Sequence, residues 1–354
     1  MQGDILNLVS APVVGAYIGE SSILAGSQLL GYDLFPSKRI GGMDLSFIKG
    51  KNAQPVLARP VAYDAEIGVV SRTTFEKLST EMPQFAESLI LGTRDMIKLD
   101  QALTLAGNQN DPLLVSALEN YYNDSANLAA RVWARPHQLA MSVISTGKVT
   151  VNTDTANSLE ISYADATWNS NNKKTSAVSW ASLTTSTPFT DIQNVIEEAA
   201  DDSVVITRLV MNRATWKLLV NSKEVIDRYN SQGNMAITQS GYSAYIEEDL
   251  GITIIIENGQ YKLTDGGVNQ KFFPDGVVSF LPEGTLGSMC FGTTAEELSS
   301  LKGDARFTVT AEGIGLSVIT DGAPVKTTTS AVAIVLPSFE KIDSVYILDT
   351  TVTA

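Results

Sequence analysis

The amino-acid sequence predicts an α+β protein. Three observations carry this. A helical stripe starts at Pro112 and runs toward Trp133. The period then switches to two-residue alternation over 148–163, and strand and turn signals dominate from Ile252 onward. The chain has 354 residues, 44% of them hydrophobic and 18% charged. A chain of this size buries about three quarters of its unfolded surface, enough for a sizeable core and for two or three substructures.

Residues 1–42 read as an irregular arm, because Pro12, Gly15, Gly19, Gly26, Gly31 and Pro36 interrupt apolar patches that have no tidy period. Such an arm gains stability only against another surface, either its own domain or a neighbour. Residues 43–74 read as an extended two-stranded loop: Pro55 and Pro60 discourage a helix, and Val56, Ala58, Val61 and Tyr63 alternate. Lys49, Lys51, Arg59 and Arg72 make this stretch relatively basic, either as a grip on a neighbour or as a solvated face.

From Phe75 to Leu105 the spacing of Phe85, Leu89, Ile90, Met96, Leu99 and Leu103 predicts a helix. Asp111 and Pro112 then supply an N-cap and a first-position proline for a second, longer one. Over 112–134 that helix spans about 35 Å. Pro136 predicts a kink, and Leu139 to Ile144 can resume the helix. Residues 148–163 predict a hairpin with Val149, Val151 and Ile161 at alternating positions. The Ser/Thr/Asn-rich stretch 165–187 reads as a surface excursion that Trp168 and Trp180 hold partly packed.

Thr190 and Gln193 suggest a capping box. A helix to Asp201, a strand at VVITRLVMN and a helix capped by Asn212 then make a small α/β unit. Asn258-Gly259 signals a hairpin after the Ile252–Ile256 strand. Further strands are expected at VVSFL, RFTVT, IGLSVI, AVAIVL and VYIL.

The search for chemistry returns mainly absences. Against 25 Lys and Arg stand 39 Asp and Glu, a formal charge of −14, which argues against a dominant phosphate-binding role. Cys290 is the one cysteine, so an intrachain disulfide and a cysteine-rich zinc site are excluded; beside Met289 and Phe291 it reads as a small buried hydrophobe. His137 is the one histidine, which excludes HExxH, and it reads as a capping or surface residue. No GxSxG, GxGxxG or P-loop motif is present. The acidic clusters, Glu247-Glu248-Asp249 among them, read as solvated helix ends or loops. No cofactor and no enzymatic activity are expected. No apolar run approaches the length of a membrane span, and the N-terminus lacks a basic signal region.

Four segments, in order, resemble the lambda-type E family of tailed-bacteriophage major capsid proteins. They are RPVAYDAEIGVVSR at 59–72, VMNRATWKLLVNSKEVIDRY at 210–229, GQYKLTDGGVNQKFFPDGVVSFLPEG at 259–284, and LPSFEKIDSVYILDT near the end. The resemblance implies an HK97-like capsid fold: an N-terminal arm (1–42), an extended E-loop (43–74), a peripheral domain with a long spine helix (75–164 and 276–354), and an axial domain (165–275). It implies a major capsid protein of the virion, assembled in the host cytoplasm into an icosahedral shell around double-stranded DNA. The implied partners are the chain itself, as hexamers and pentamers, with separate scaffold, portal and decoration proteins; neither sequence-specific DNA binding nor membrane association is implied. Candidate inter-subunit contacts are Leu6, Val9, Leu34 and Phe35 in the arm and Lys49, Lys51, Arg59 and Arg72 in the loop. Near the hexamer centre they are Trp216, Tyr229, Glu247 and Glu248. Removing residues 1–35 is expected to impair shell formation more than it unfolds the body. The competing readings are another structural virion protein or an encapsulin-like compartment and, lower, a carboxylate-dependent hydrolase.

Overall fold

The computed structural model describes residues 10–20, 29–49, 76–106, 112–152, 158–231, 239–263, 266–310, 313–322 and 325–351. In chain order the first elements are α1 (Ala11–Glu20), α2 (Leu30–Leu34), β1 (Ser37–Arg39), β2 (Asp44–Lys49), β3 (Glu76–Glu81), β4 (Gln84–Leu91) and α3 (Thr93–Ala106). There follow α4 (Pro112–Thr146), β5 (Lys148–Asn152), β6 (Ser158–Ser162), α5 (Ala166–Asn171), β7 (Lys173–Thr175), α6 (Pro188–Asp201), β8 (Ile206–Met211), α7 (Arg213–Val220), α8 (Lys223–Ser231) and α9 (Gln239–Leu250). The remainder comprises β9 (Thr253–Ile256), β10 (Gln260–Tyr261), β11 (Gln270–Lys271), β12 (Val277–Pro282), β13 (Ser288–Phe291), α10 (Ala295–Leu301), β14 (Phe307–Val309), β15 (Gly315–Gly322), β16 (Val325–Ser338) and β17 (Tyr346–Asp349).

The chain divides into two compact units. The first contains 1–46, 79–140 and 287–338; the second contains 47–78, 141–286 and 339–354. In the first, the sheet order is β1-β13-β16-β15-β14, and β4 also pairs with β16. β13, β16, β15 and β14 form an antiparallel succession, and β1 lies parallel to β13. In the second, the order is β7-β17-β12-β8-β9, with β12 antiparallel to both β17 and β8 and with β7 and β9 parallel to their neighbours. Pairing thus distributes the segment 276–354 over both units, since β12 and β17 join the sheet of β7, β8 and β9.

The helix expected at 75–105 begins only at Thr93. The spacing of Phe85, Leu89 and Ile90 suits a helix, but β4 pairs antiparallel with β16 at eight successive positions, from Gln84↔Ile334 to Leu91↔Thr327. Ladder bonds along a 14-residue strand outweigh a weak local preference. Ile90, which the helical reading placed on the apolar face, is 58% exposed.

The irregular arm is also corrected, since its described part contains α1 and α2. Ala11, Val14 and Ile18 recur at helix spacing and are all buried. The pattern escapes notice because its first member is an alanine. Gly15 admits a close approach, for a Cβ there would sit 2.9 Å from Thr308 Cγ2.

α4 starts at Pro112, as the proline predicts, and continues for 35 residues with Pro136 inside it, about 52 Å in length. β5 and β6 form the expected hairpin, in register from Lys148↔Ser162 to Asn152↔Ser158. The excursion at 165–187 contains α5, which Asp165 caps by accepting from the Trp168 amide, and both Trp168 and Trp180 are buried.

The second unit holds a core in which α6, α7, α8 and α9 contribute Ile192, Val195, Trp216, Leu219, Val225 and Ile246 against Leu209, Met211, Val278 and Phe280 of the sheet. Asn212 caps α7 as expected, accepting from the Thr215 amide at 2.8 Å. The Thr190–Gln193 capping box does not form. α6 starts earlier, at Pro188, and the Glu224 carboxylate from α8 receives the Phe189 and Thr190 amides at 2.9 and 3.2 Å. Asn258-Gly259 makes no hairpin: β9 pairs with β8, and the Asn258 side chain accepts from the Arg213 amide. α9 has no counterpart in the sequence reading, because Tyr242 and Ile246 are its only buried apolar residues among those described and Ser and Gly dilute the stripe.

Candidate assembly surface

The residues nominated from sequence fall into three groups. Leu6, Val9, Lys51, Arg59 and Arg72 lie outside the described residues. Lys49 is the last residue of β2, which pairs with β3 as a two-stranded sheet. The remaining six are placed as follows.

Leu34 and Phe35 are fully buried within the first unit. α2 carries them inward because its neighbours bind α4. The Gly31 amide donates to His137 Nδ1 at 3.1 Å, Tyr32 stacks on Trp133 at 4.5 Å, and the Tyr32 hydroxyl donates to the Trp133 carbonyl at 3.0 Å. The apolar surface of these two side chains is therefore already used inside their own subunit. His137 is not the capping or surface residue expected: it is fully buried, and desolvation lowers its pKa from 6.5 to about 4, so the imidazole is neutral and accepts. Cys290 is buried in β13, as its apolar neighbours predict.

Trp216 and Tyr229 are also core residues, at 4% and 7% exposure. Tyr229 packs with Tyr242 and Tyr245 at 4.9 and 5.7 Å. Glu247 lies at the edge of the second unit's sheet, where its Oε1 accepts from the Ile254 amide at 3.0 Å; Glu248 beside it is exposed. Of the nominated residues, Tyr229, Glu247 and Glu248 thus belong to one region of the second unit, around α8, α9 and β9. Leu34 and Phe35 belong to the first.

Sequence reasoning missed the apolar side chains that the described fold leaves in solvent. In the second unit Val268 is 84% exposed, Val205 75% and Leu263 45%; in the first, Leu301 is 78% exposed and Ile97 52%. One signal was readable. Val268 follows Gly266-Gly267 in a turn-rich stretch, where an apolar side chain has no core to enter.

Among the described residues no cluster of three or more His, Cys, Asp and Glu is placed to hold a metal ion. Tyr346 has its pKa pushed up by burial and by the Asp202 carboxylate that its hydroxyl donates to at 2.7 Å, so it remains a protonated donor. The Lys174–Glu198 ion pair also involves α6. None of the described helices is long and apolar enough to cross a membrane.

The two-unit α+β subunit, with its 35-residue helix, a six-stranded sheet and a second, five-stranded mixed sheet, resembles HK97-like capsid architecture. Residues 28–314 match the family described as phage major capsid protein E, and the chain belongs to that family. Solved structures share the fold. A prophage protein of Escherichia coli CFT073 is 14% identical with a TM-score of 0.62, over 96% of this chain and 99% of that one. A phage-related protein of Bordetella bronchiseptica RB50 is 12% identical with a TM-score of 0.57, over 97% of both chains. A chain of the cyanophage A-1(L) capsid is 10% identical with a TM-score of 0.55, over 91% of both chains. At these identities the likeness is one of fold. No curated protein sequence matches significantly.

Proposed function

We propose that many copies of this chain, a major capsid protein of the lambda-type branch, close into the icosahedral head shell that encloses double-stranded phage DNA. The observation that carries the reading is the family match across 28–314 on a subunit whose two units both keep apolar side chains in solvent. Large exposed apolar side chains suit a surface that another protein covers. In this reading Val268 and Leu263 meet neighbouring copies around fivefold and sixfold centres, and the basic stretch with Lys49, Lys51, Arg59 and Arg72 meets acidic faces of adjacent subunits. Several modest contacts per subunit combine into a stable shell. The formal charge of −14 keeps the shell from gripping the genome it contains. Separate scaffold, portal and decoration proteins complete the particle, and the chain performs no catalysis.

The test is expression of the full chain with and without the gene product that serves as its scaffold, followed by size-exclusion chromatography and negative-stain microscopy. Closed shells, hexamers or pentamers are expected. A discrete dimer that persists with the scaffold present would overturn the proposal.

A further inference from the structure

Among the described residues the second unit's sheet ends at β9, and the sequence there, Ile252 to Ile256 with one threonine, is uncharged and strongly β-forming. An edge of this composition invites another chain to add a strand. In the parallel pairing with β8, the Glu257 amide turns inward to the Met211 carbonyl, so by alternation the Ile254 amide turns outward. That outward amide is taken by Glu247 Oε1 at 3.0 Å. The carboxylate reaches it because the chain doubles back directly after α9: Gly251 adopts φ +64, and the Ile252 amide donates to the Glu247 carbonyl at 3.2 Å. The next outward-turning residue, Ile256, remains accessible at 41% exposed.

We propose that Glu247 is the guard of this edge: by occupying the Ile254 amide and setting a charged oxygen beside it, Glu247 keeps β9 of a second copy from adding to the sheet. The occupant it excludes is the same strand of another subunit, because two identical isoleucine edges pair antiparallel with matched register and no opposing charge. The guard confines association to other surfaces. It stands independently of the shell-building reading, since a guarded edge serves any protein kept at high local concentration.

The experiment compares the full-length chain with Glu247→Ala, Glu247→Gln and the double variant Glu247→Ala/Ile256→Lys, each first shown folded by near-ultraviolet circular dichroism. Thioflavin T fluorescence and light scattering are followed against protein concentration. Glu247→Ala is expected to raise the thioflavin-positive fraction by roughly tenfold or more, the factor that a hydrogen bond to a charged group commands. Glu247→Gln, which keeps an acceptor without the charge, falls between the parent and Glu247→Ala. The added lysine suppresses the effect, because a charge on the edge opposes pairing whereas it would not refold an unfolded chain. A folded Glu247→Ala that is as dispersed and thioflavin-negative as the parent overturns the proposal. So does a double variant as aggregated as the single one, or a Glu247→Gln that behaves like the alanine variant. Thioflavin T fluorescence, unlike light scattering, reports added β-pairing and not shell formation, so it keeps the two readings apart.

Discussion

At the residue scale, His137 and Gly31 show how one buried contact ties the start of the chain to its longest helix. The imidazole is neutral in the folded chain because burial lowers its pKa to about 4, while the unfolded chain protonates near 6.5. The unfolded state therefore binds more protons between these values. The contribution is fully present above pH 6.5, and it is lost as pH falls from 6.5 toward 4, by about 3 kcal/mol at most. Urea unfolding at pH 7 and pH 5 should show the parent losing roughly 2 kcal/mol more than His137→Asn, which retains an acceptor without the titration. Gly31→Ala places a Cβ 2.7 Å from His137 Nδ1 and 3.1 Å from the His137 Cα, so a loss of about 1–3 kcal/mol is expected in the same assay. Trp216→Ala should cost about 3–5 kcal/mol whether or not the protein assembles, because the indole lies in the second unit's core.

The element scale explains which local readings were decided by distant partners. The N-cap at Asn212, the first-position proline at Pro112 and the hairpin at 148–163 each depend on residues within a few positions, and each forms where the sequence places it. β4 depends on β16, more than two hundred residues away, and no window around Phe85 contains that information. α6 behaves likewise: its first amides are satisfied by Glu224 from α8, with Arg228 beside that carboxylate and over the Phe189 ring. Glu224→Ala should therefore cost about 1–3 kcal/mol in thermal unfolding, while Gln193→Ala, at the supposed capping box, should change stability by less than about 0.5 kcal/mol.

At the scale of the whole molecule, the arm becomes partly a core element. Ala11, Val14, Ile18, Leu34 and Phe35 are all buried in the first unit, so removal of residues 1–35 is now expected to lower the melting temperature markedly rather than to spare the body. Differential scanning calorimetry of that truncation checks the point. The surface contacts are better probed by Val268→Asp. The side chain is 84% exposed, so stability should move by less than about 0.5 kcal/mol, while the shell fraction in size-exclusion chromatography falls.

The candidate surface was less legible than the fold. Apolar and aromatic residues were nominated as contacts because they suit interfaces, but Leu34, Phe35, Trp216 and Tyr229 suit a core equally well, and periodicity does not say which neighbour fills it. The sequence by itself determined the α+β class, the long helix, the hairpin at 148–163, the cap at Asn212, the acidic balance and, through its ordered segments, the capsid resemblance. These rest on composition and on contacts among near neighbours. The tertiary structure alone decided that 84–91 is a strand, that His137 is buried and neutral, and that Glu247 closes a sheet edge, because each follows from pairing or burial between segments that meet only when the chain folds.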